Sequence, residues 1–200
     1  MKEGVMKVVF LLTACVSILA VALICIFLFA NGVPAIAQIG IVDFLFGRVW
    51  LPSNEIFGIF PMIVGSIYVT AGAIIIGVPL GILCAIFLAR FCPQNIYKIV
   101  KPAVSLLAGI PSIVYGFFGL VVIVPIMQDL THTGGKGILT ASILLGIMIL
   151  PTVIGVSESA IRAVPNSYYE GSLALGATHE RSVFFAILPA AKQGILAGVI

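Results

Sequence analysis

Long uncharged stretches alternate with short polar segments along the 200 residues of this chain. Four stretches contain no Asp, Glu, Lys or Arg, and they cover residues 8–42, 56–89, 102–128 and 137–157. Each can supply the ~20 apolar residues that cross a bilayer as an α-helix. The pattern predicts four membrane-spanning helices, and the apolar residues 194–200 begin what we expect to be a fifth, truncated span.

The composition supports an all-α membrane protein. Hydrophobic residues make up 62% of the chain and charged residues 8%, whereas about a quarter of the residues in soluble domains are charged. The first stretch is longer than the apolar core of a signal peptide, and no small-x-small cleavage site ends it. We therefore expect a retained membrane anchor.

Proline and small residues lie inside the predicted spans. Pro79 stands between Gly77 and Gly81, and it is expected to kink the second span because proline lacks an N–H and clashes with the preceding turn. Small residues let helices approach closely in lipid. Those expected to do so are Gly65, Ser66, Ala73, Gly77, Gly116, Gly119, Ala141 and Gly146.

The basic residues indicate the orientation of the spans. If the polar segments lie on alternating sides, eight of the ten Lys and Arg fall in segments 1–7, 90–101 and 158–192, against Arg48 and Lys136 on the other side. The positive-inside rule then predicts a cytoplasmic N-terminus in a multi-pass protein of the cytoplasmic membrane. The net charge of +3 reflects this topology, and no nucleic-acid partner is expected.

Neither catalytic motifs nor deep charges occur in the predicted spans. There is no HExxH, GxSxG or P-loop pattern, and the predicted topology separates His132 from His179. Neither an enzyme nor a metal site is expected. Hydroxyl side chains remain as candidates for a translocation path, although each can also bond back to its own helix. The path candidates are Ser66, Thr70, Ser112 and Tyr115.

The fourth predicted span leads into a polar segment. Glu158 and Arg162 are four residues apart and are expected to form an ion pair on the helix surface. Pro165 is expected to end this helix, because proline restricts the residue before it.

The segment 168–189 predicts a helix, a corner and a second short helix, which we call the hook. Ser167 and Glu170 fit a capping box at its start, and Gly176 fits the left-handed position that ends a helix. Thr178 is a candidate N-cap for the second helix, and Pro189 marks the junction with the next span. Helices this short are marginal alone, so either the membrane surface or a partner protein should cover the hook.

The hook resembles a known signature. Glu170, Gly176 and Pro189 are spaced as in the EAA loop, E-A-A-x3-G-x9-I-x-L-P, of type I ABC-transporter permeases. Gly171 and Ser172 replace the two alanines, and Ala186 stands where isoleucine is usual. The resemblance implies that loop 165–189 couples the chain to an ATPase. The implied coupling residues are Glu170, Gly171, Ser172, Ala174, Gly176, Leu188 and Pro189.

Three further stretches resemble the phosphate-specific branch of that family, in particular its PstC-type subunit. They are VWLPSNEIFGIFP (49–61), FGIFPMIVGSIYVTAGAIIIGVPLGILCAIFLARF (57–91) and LAGIPSIVYGFFGL (107–120). The resemblance implies a MetI-like helical bundle with six spans when complete. It also implies an N-terminal helix and extracytoplasmic loop in residues 1–56 and a permease core in residues 57–200.

The resemblance implies partners as well. Such permeases pair with a second membrane subunit of PstA type, receive phosphate from an extracytoplasmic binding protein, and are driven by a cytoplasmic ATPase dimer. ATP and Mg would bind that ATPase, so no cofactor is expected on this chain. The implied function is import of inorganic phosphate. A permease for molybdate, sulfate or an amino acid, or a membrane scaffold without transport, are the alternatives.

Overall fold

Helices make up most of the chain, which a computed structural model describes over residues 2–132 and 134–200. Position 1, in the predicted cytoplasmic segment 1–7, and position 133, in the predicted outer segment 129–136, lie outside the described residues. The helices are α1 (Lys2–Ile39), α2 (Ile41–Phe46), α3 (Phe60–Ile86), α4 (Gln94–Ala108), α5 (Ser112–Phe118), α6 (Val124–Thr131), α7 (Ile138–Ala163), α8 (Asn166–Ala174), α9 (His179–Ser182) and α10 (Leu188–Ala197). They form two compact units, Met1–Val64 and Gly65–Ile200.

The first unit contains α1, α2 and a small hairpin. Strand β1 (Trp50–Leu51) pairs antiparallel with β2 (Ile56–Phe57), with Trp50 opposite Phe57. Their rings meet edge to face at 5.7 Å between centroids, a favourable geometry for an aromatic pair. Glu55 turns the chain at a positive φ of 58°. The hairpin is thus held by one aromatic pair and a tight turn.

Four helical segments are long and apolar enough to cross a membrane. They are Gly4–Ile39, Phe60–Phe91, Ser112–Thr131 and Ile138–Ala163. Four spans were predicted, and four are found in the described part of the chain. The third differs from the predicted stretch 102–128, because it begins only at Ser112.

A break between α4 and α5 explains this difference. Helix α4 ends at Ala108, and Pro111 takes an extended conformation with φ −58° and ψ 140° before α5 begins. Proline disfavours helical geometry at the residue before it, and at Pro111 the helix is interrupted, so the uncharged run 102–128 does not form one helix. The apolar run therefore contains the end of α4, a joint and most of the third span.

The predicted close helix packing is observed between α3 and α7. Ala73, Gly77, Gly81 and Ala85 recur every four residues on α3, and all are buried. A Cβ on Gly77 would lie 2.8 Å from the Gly146 carbonyl oxygen of α7 and 2.9 Å from the Ile149 side chain. Such spacing of small residues allows close approach in lipid. By contrast, no atom of the described residues lies within 4 Å of a Cβ placed on Gly65 or Gly116, so a packing role for these two stays a prediction.

Prolines are accommodated in two ways. Helix α3 continues through Pro79, and α7 continues through Pro151. Elsewhere in the described residues, three π turns each precede a proline by one intervening residue. The turns are Phe87–Phe91 before Pro93, Gly119–Ile123 before Pro125 and Val183–Ile187 before Pro189. Where the helix continues, before Pro125 and Pro189, the widened turn makes room for a proline ring that would clash with the carbonyl of the previous turn. Before Pro93 the helix instead ends, with Cys92 extended.

A hydrophobic core lies where α3 and α7 end and the hook returns. Its members come from α3, from residues 161–164 at the end of α7, from the π turn Val183–Ile187 and from α10. They are Ala85, Ile86, Ile161, Val164, Val183, Ile187, Ala191 and Ile195. Close packing of such side chains adds van der Waals contacts, a main source of association energy between helices in lipid. This core fixes the base of the hook on the bundle.

Candidate functional site

The first helix of the hook starts earlier than predicted. Helix α7 ends at Ala163, and Val164 is extended with ψ 126° before Pro165, as predicted for a residue preceding proline. Helix α8 begins at Asn166 with Pro165 in the capping position and no side-chain capping hydrogen bond. The predicted capping box of Ser167 and Glu170 is therefore wrong. Proline supplies a preorganised φ for the first turn instead.

The corner of the hook is confirmed at Gly176. Its φ is +85°, in the left-handed region that favours glycine. Its N–H donates to the Leu173 carbonyl at 2.9 Å, and the Ala177 N–H donates to the Ser172 carbonyl at 3.1 Å. These two bonds form a Schellman motif, which satisfies the last carbonyls of a helix. Gly176 thus ends α8 and redirects the chain.

The second arm of the hook is part of a longer helix. Thr178 caps it as predicted, since its hydroxyl accepts from the Arg181 N–H at 3.4 Å. The pKa of Glu180 lies below its ordinary value because its carboxylate accepts hydrogen bonds from its own N–H and from Thr178. The helix then runs through the π turn into α10 without a break at Pro189. The prediction of a separate short helix was wrong, since the widened turn accommodates the proline.

His179 joins the two arms of the hook. Its Nδ1 lies 2.8 Å from the Tyr169 hydroxyl, and its ring meets the Phe91 ring edge to face at 4.8 Å. Phe91 ends the π turn after α3. One imidazole therefore links α8, α9 and the end of the second span. Neither helical periodicity nor a motif in the sequence indicated this contact.

The hook exposes an apolar tip. Leu175, one residue before the corner, is 91% exposed, and Tyr168 and Leu173 are also exposed. The loop residues Glu170, Gly171, Ala174, Gly176 and Pro189 are exposed too, while Ser172 and Leu188 are half-buried. The Ser172 hydroxyl donates to the Tyr169 carbonyl at 2.8 Å. Leu175, Leu173 and Tyr168 therefore present apolar surface beside the corner.

Glu158 is buried near the base of the hook. It is 1% exposed and contacts Arg162 Nε at 2.8 Å and Lys101 Nζ at 2.5 Å. The Tyr97 hydroxyl donates to the same carboxylate at 2.8 Å, and this bond raises the pKa of Tyr97. The predicted ion pair of Glu158 and Arg162 forms, but its predicted position on the helix surface is wrong, because α4 covers the carboxylate.

Two arginines connect this cluster to the end of α3. Arg162 donates from a terminal nitrogen to the Leu88 carbonyl at 2.8 Å. Arg90 donates in the opposite direction, to the Ile161 carbonyl at 3.0 Å. Arg162 also stacks over the Tyr97 ring at 4.5 Å, a favourable position for a cation. Sequence reasoning missed these partners because they lie more than 60 residues away along the chain.

The four predicted path residues lie on two helices. Ser66 and Thr70 are exposed on α3, and Ser112 is exposed at the first residue of α5. Tyr115 is half-buried, and its hydroxyl donates to the Leu107 carbonyl of α4 at 3.0 Å. This bond spans the joint between α4 and α5. The role of these four residues in a path stays a prediction.

The sequence is similar to several membrane permeases. A probable ABC transporter permease protein, YqgH, of Bacillus subtilis (strain 168) is 38% identical over 197 residues, which cover 95% of this chain and 64% of that protein. The phosphate transport system permease protein PstC of Mesorhizobium japonicum is 34% identical over 197 residues, covering 88% and 60%. The probable PstC protein of Methanocaldococcus jannaschii is 31% identical over 195 residues, covering 87% and 61%. The chain thus spans about three fifths of the length of these relatives.

The fold also has a counterpart among solved structures. The MetNI methionine ABC transporter, in an inward-facing conformation, matches with a TM-score of 0.54 and 24% identity over 71% of this chain and 64% of that one. The predicted MetI-like helical bundle is thereby confirmed as the fold. Residues 77–200 match the family of binding-protein-dependent transport system inner membrane components. This chain, a multi-pass membrane protein with an ABC permease fold, belongs to that family.

Proposed function

We propose that the chain is a permease subunit of an ATP-driven importer that carries inorganic phosphate across the cytoplasmic membrane. The choice of phosphate is supported by the similarity to PstC phosphate permeases at 31–34% identity. In this proposal, a second permease subunit of PstA type completes the pathway, and an extracytoplasmic protein delivers phosphate. ATP and Mg bind a separate ATPase dimer.

The exposed tip of the hook is the observation that carries the coupling role. Leu175 is 91% exposed, yet it is held by a Schellman corner whose geometry is fixed by two backbone hydrogen bonds. A rigid apolar projection fits a cleft in a partner, because little conformational entropy is lost when it docks. We infer that the ATPase supplies this cleft and that residues 165–189 are the coupling loop.

The basic residues support the orientation of the chain in this proposal. The hook carries Arg181, the first half of α4 carries Lys98 and Lys101, and the N-terminal segment carries Lys2 and Lys7. The positive-inside rule places such segments in the cytoplasm. The N-terminus and the hook therefore lie on the side where ATP is available.

Uptake measurements test the transported solute. In proteoliposomes that contain the full-length complex, we expect radiolabelled phosphate to accumulate only with the binding protein present and ATP on the ATPase side. Excess unlabelled sulfate, molybdate or amino acid should leave this uptake unchanged. Competition by one of these solutes would instead identify another substrate. Accumulation that continues after ATP is removed would contradict an ATP-driven importer.

Crosslinking tests the docking of the hook. In a chain whose four native cysteines are replaced, Ala174→Cys should crosslink to the ATPase through a short bifunctional thiol reagent, because Ala174 is exposed beside the tip. Asn54→Cys is the matched control, since Asn54 is also exposed but lies in the turn between β1 and β2. Labelling of position 174 by lipid-soluble reagents alone would show that the membrane surface covers the hook.

A further inference from the structure

The carboxylate of Glu158 is held from two helices at once. Arg162 contacts it from the next turn of α7, while Lys101 and Tyr97 contact it from α4. Glu158 is 1% exposed, so its charge is out of contact with solvent. The stability of a buried carboxylate depends on its ion-pair and hydrogen-bond partners, because an unpaired buried charge is strongly unfavourable. The first half of α4 is therefore tied to α7 through one side chain.

The same turn of α7 is tied to α3. Arg162 of α7 donates to the Leu88 carbonyl in the π turn that follows α3. Arg90 of the same π turn donates in return to the Ile161 carbonyl of α7. Ile161 and Val164 then belong to the hydrophobic core that holds Val183 in the second arm of the hook. The ion cluster and the base of the hook thus share one short stretch of chain, residues 158–164, at the end of α7.

The contacts continue from α4 into the third span. Helix α4 and α5 are separated by the joint at Gly109 to Pro111, and Tyr115 of α5 donates across that joint to Leu107 of α4. Ser112 and Tyr115, two of the predicted path residues, stand at the start of α5. A displacement of α4 would therefore reach the beginning of this span.

We propose that Glu158 is a positioning residue that makes the end of α3, the first half of α4 and the end of α7 move as one body with the hook. This inference rests on the proposed function, in which an ATPase moves the hook. The cluster stays closed while the hook moves, because separating α4 from Glu158 would break the Lys101 ion pair and the Tyr97 hydrogen bond to the same carboxylate. The first turn of α5 receives the movement through α4, and the helix packing of α3 on α7 carries it into the second span.

A double variant of α4 tests this role without removing the buried carboxylate. Tyr97→Phe with Lys101→Met removes both ties from α4 and leaves the pair of Glu158 with Arg162 in place. In proteoliposomes with the full-length complex, we expect the ATPase to bind and hydrolyse ATP as in the wild type. The phosphate imported per ATP should fall by about tenfold, in the range usual for loss of coupling between two sites. Glu158→Gln, which keeps the shape of the side chain, should lower the same ratio.

Lys98→Met is the matched control, because Lys98 lies on the same helix but is exposed. It should leave the ratio of phosphate to ATP at the wild-type value. An unchanged ratio in the double variant would overturn the proposal. A smaller yield of complex with an unchanged ratio would also overturn it, since the cluster would then serve stability alone.

A distance measurement tests the role of Glu158 independently of the proposed function. Spin labels at Asn95→Cys in α4 and Ser159→Cys in α7, both exposed positions, should give one narrow distance distribution in a chain without native cysteines. The double variant should broaden that distribution, and an equally narrow one would overturn the tie between the helices. If the wild-type complex imports no phosphate, the proposed function fails, whereas the distance distributions still decide whether Glu158 holds α4.

Discussion

Replacing Gly77 with leucine should separate α3 from α7 and lower the stability of the permease unit. A Cβ at this position would lie 2.8 Å from a backbone carbonyl oxygen of Gly146, and backbone atoms inside a packed helix cannot move aside cheaply. Overpacking of this kind costs about 1–3 kcal/mol. The expected result is a fall in Tm of roughly 2–10 °C in detergent, on the scale usual for chains of this length.

Gly65→Leu is the matched control for this prediction. Gly65 lies on the same helix, and a Cβ at this position would have no atom within 4 Å. Leucine is a better helix former than glycine by several tenths of a kcal/mol or more, so this variant should melt at the wild-type temperature or slightly above it. Equal melting temperatures for the two variants would contradict the close α3–α7 contact.

Replacing Gly176 with valine should abolish most transport without unfolding the spans. Its φ of +85° is disfavoured for L residues, although no atom lies within 4 Å of a Cβ placed there. The cost is therefore backbone strain alone, about 1–2 kcal/mol or more for a β-branched side chain. Release of that strain by unwinding the corner would lower the docked fraction of the hook by roughly five- to thirtyfold. Phosphate uptake by the complex, compared with membrane insertion of the chain, measures the effect.

Gly176→Asn distinguishes strain from any other effect of a side chain. Asparagine adopts the left-handed conformation more readily than other L residues, and it also occurs at this position of helix ends. It should retain most of the uptake that valine loses. Equal loss in both variants would point to a surface at Gly176 that tolerates no side chain. Unchanged uptake in the valine variant would contradict a coupling role for the corner.

The spans and the corner of the hook were predictable from local patterns. The length of an uncharged run can be read directly from the sequence. The positive φ at Gly176 is expected because this glycine stands just after a short helix that Pro165 precedes. Thr178 was predictable for the same reason, since capping involves residues three apart along the chain. These features depend on neighbours in sequence, which a single sequence displays directly.

The ion cluster and the exact bounds of the third span were not predictable in this way. Glu158 and Arg162 look like an ordinary surface pair because the residues that cover them, Tyr97 and Lys101, lie on another helix. The run 102–128 hid the joint at Pro111, since uncharged composition does not separate a helix end from a span. His179 likewise gained its partners only when the hook folded back on Phe91.

The π turn before Pro189 sets the angular phase of the helix that leaves the hook. Val183, Ile187, Ala191 and Ile195 are buried at intervals of four residues, which a regular helix at 3.6 residues per turn would spread over about 120° of its circumference. The wider turn at 183–187 rotates less per residue and so offsets much of that drift. One stripe of the helix therefore faces α7 from the hook into the membrane, and in the proposed mechanism this continuity lets the hook transmit torque as well as displacement.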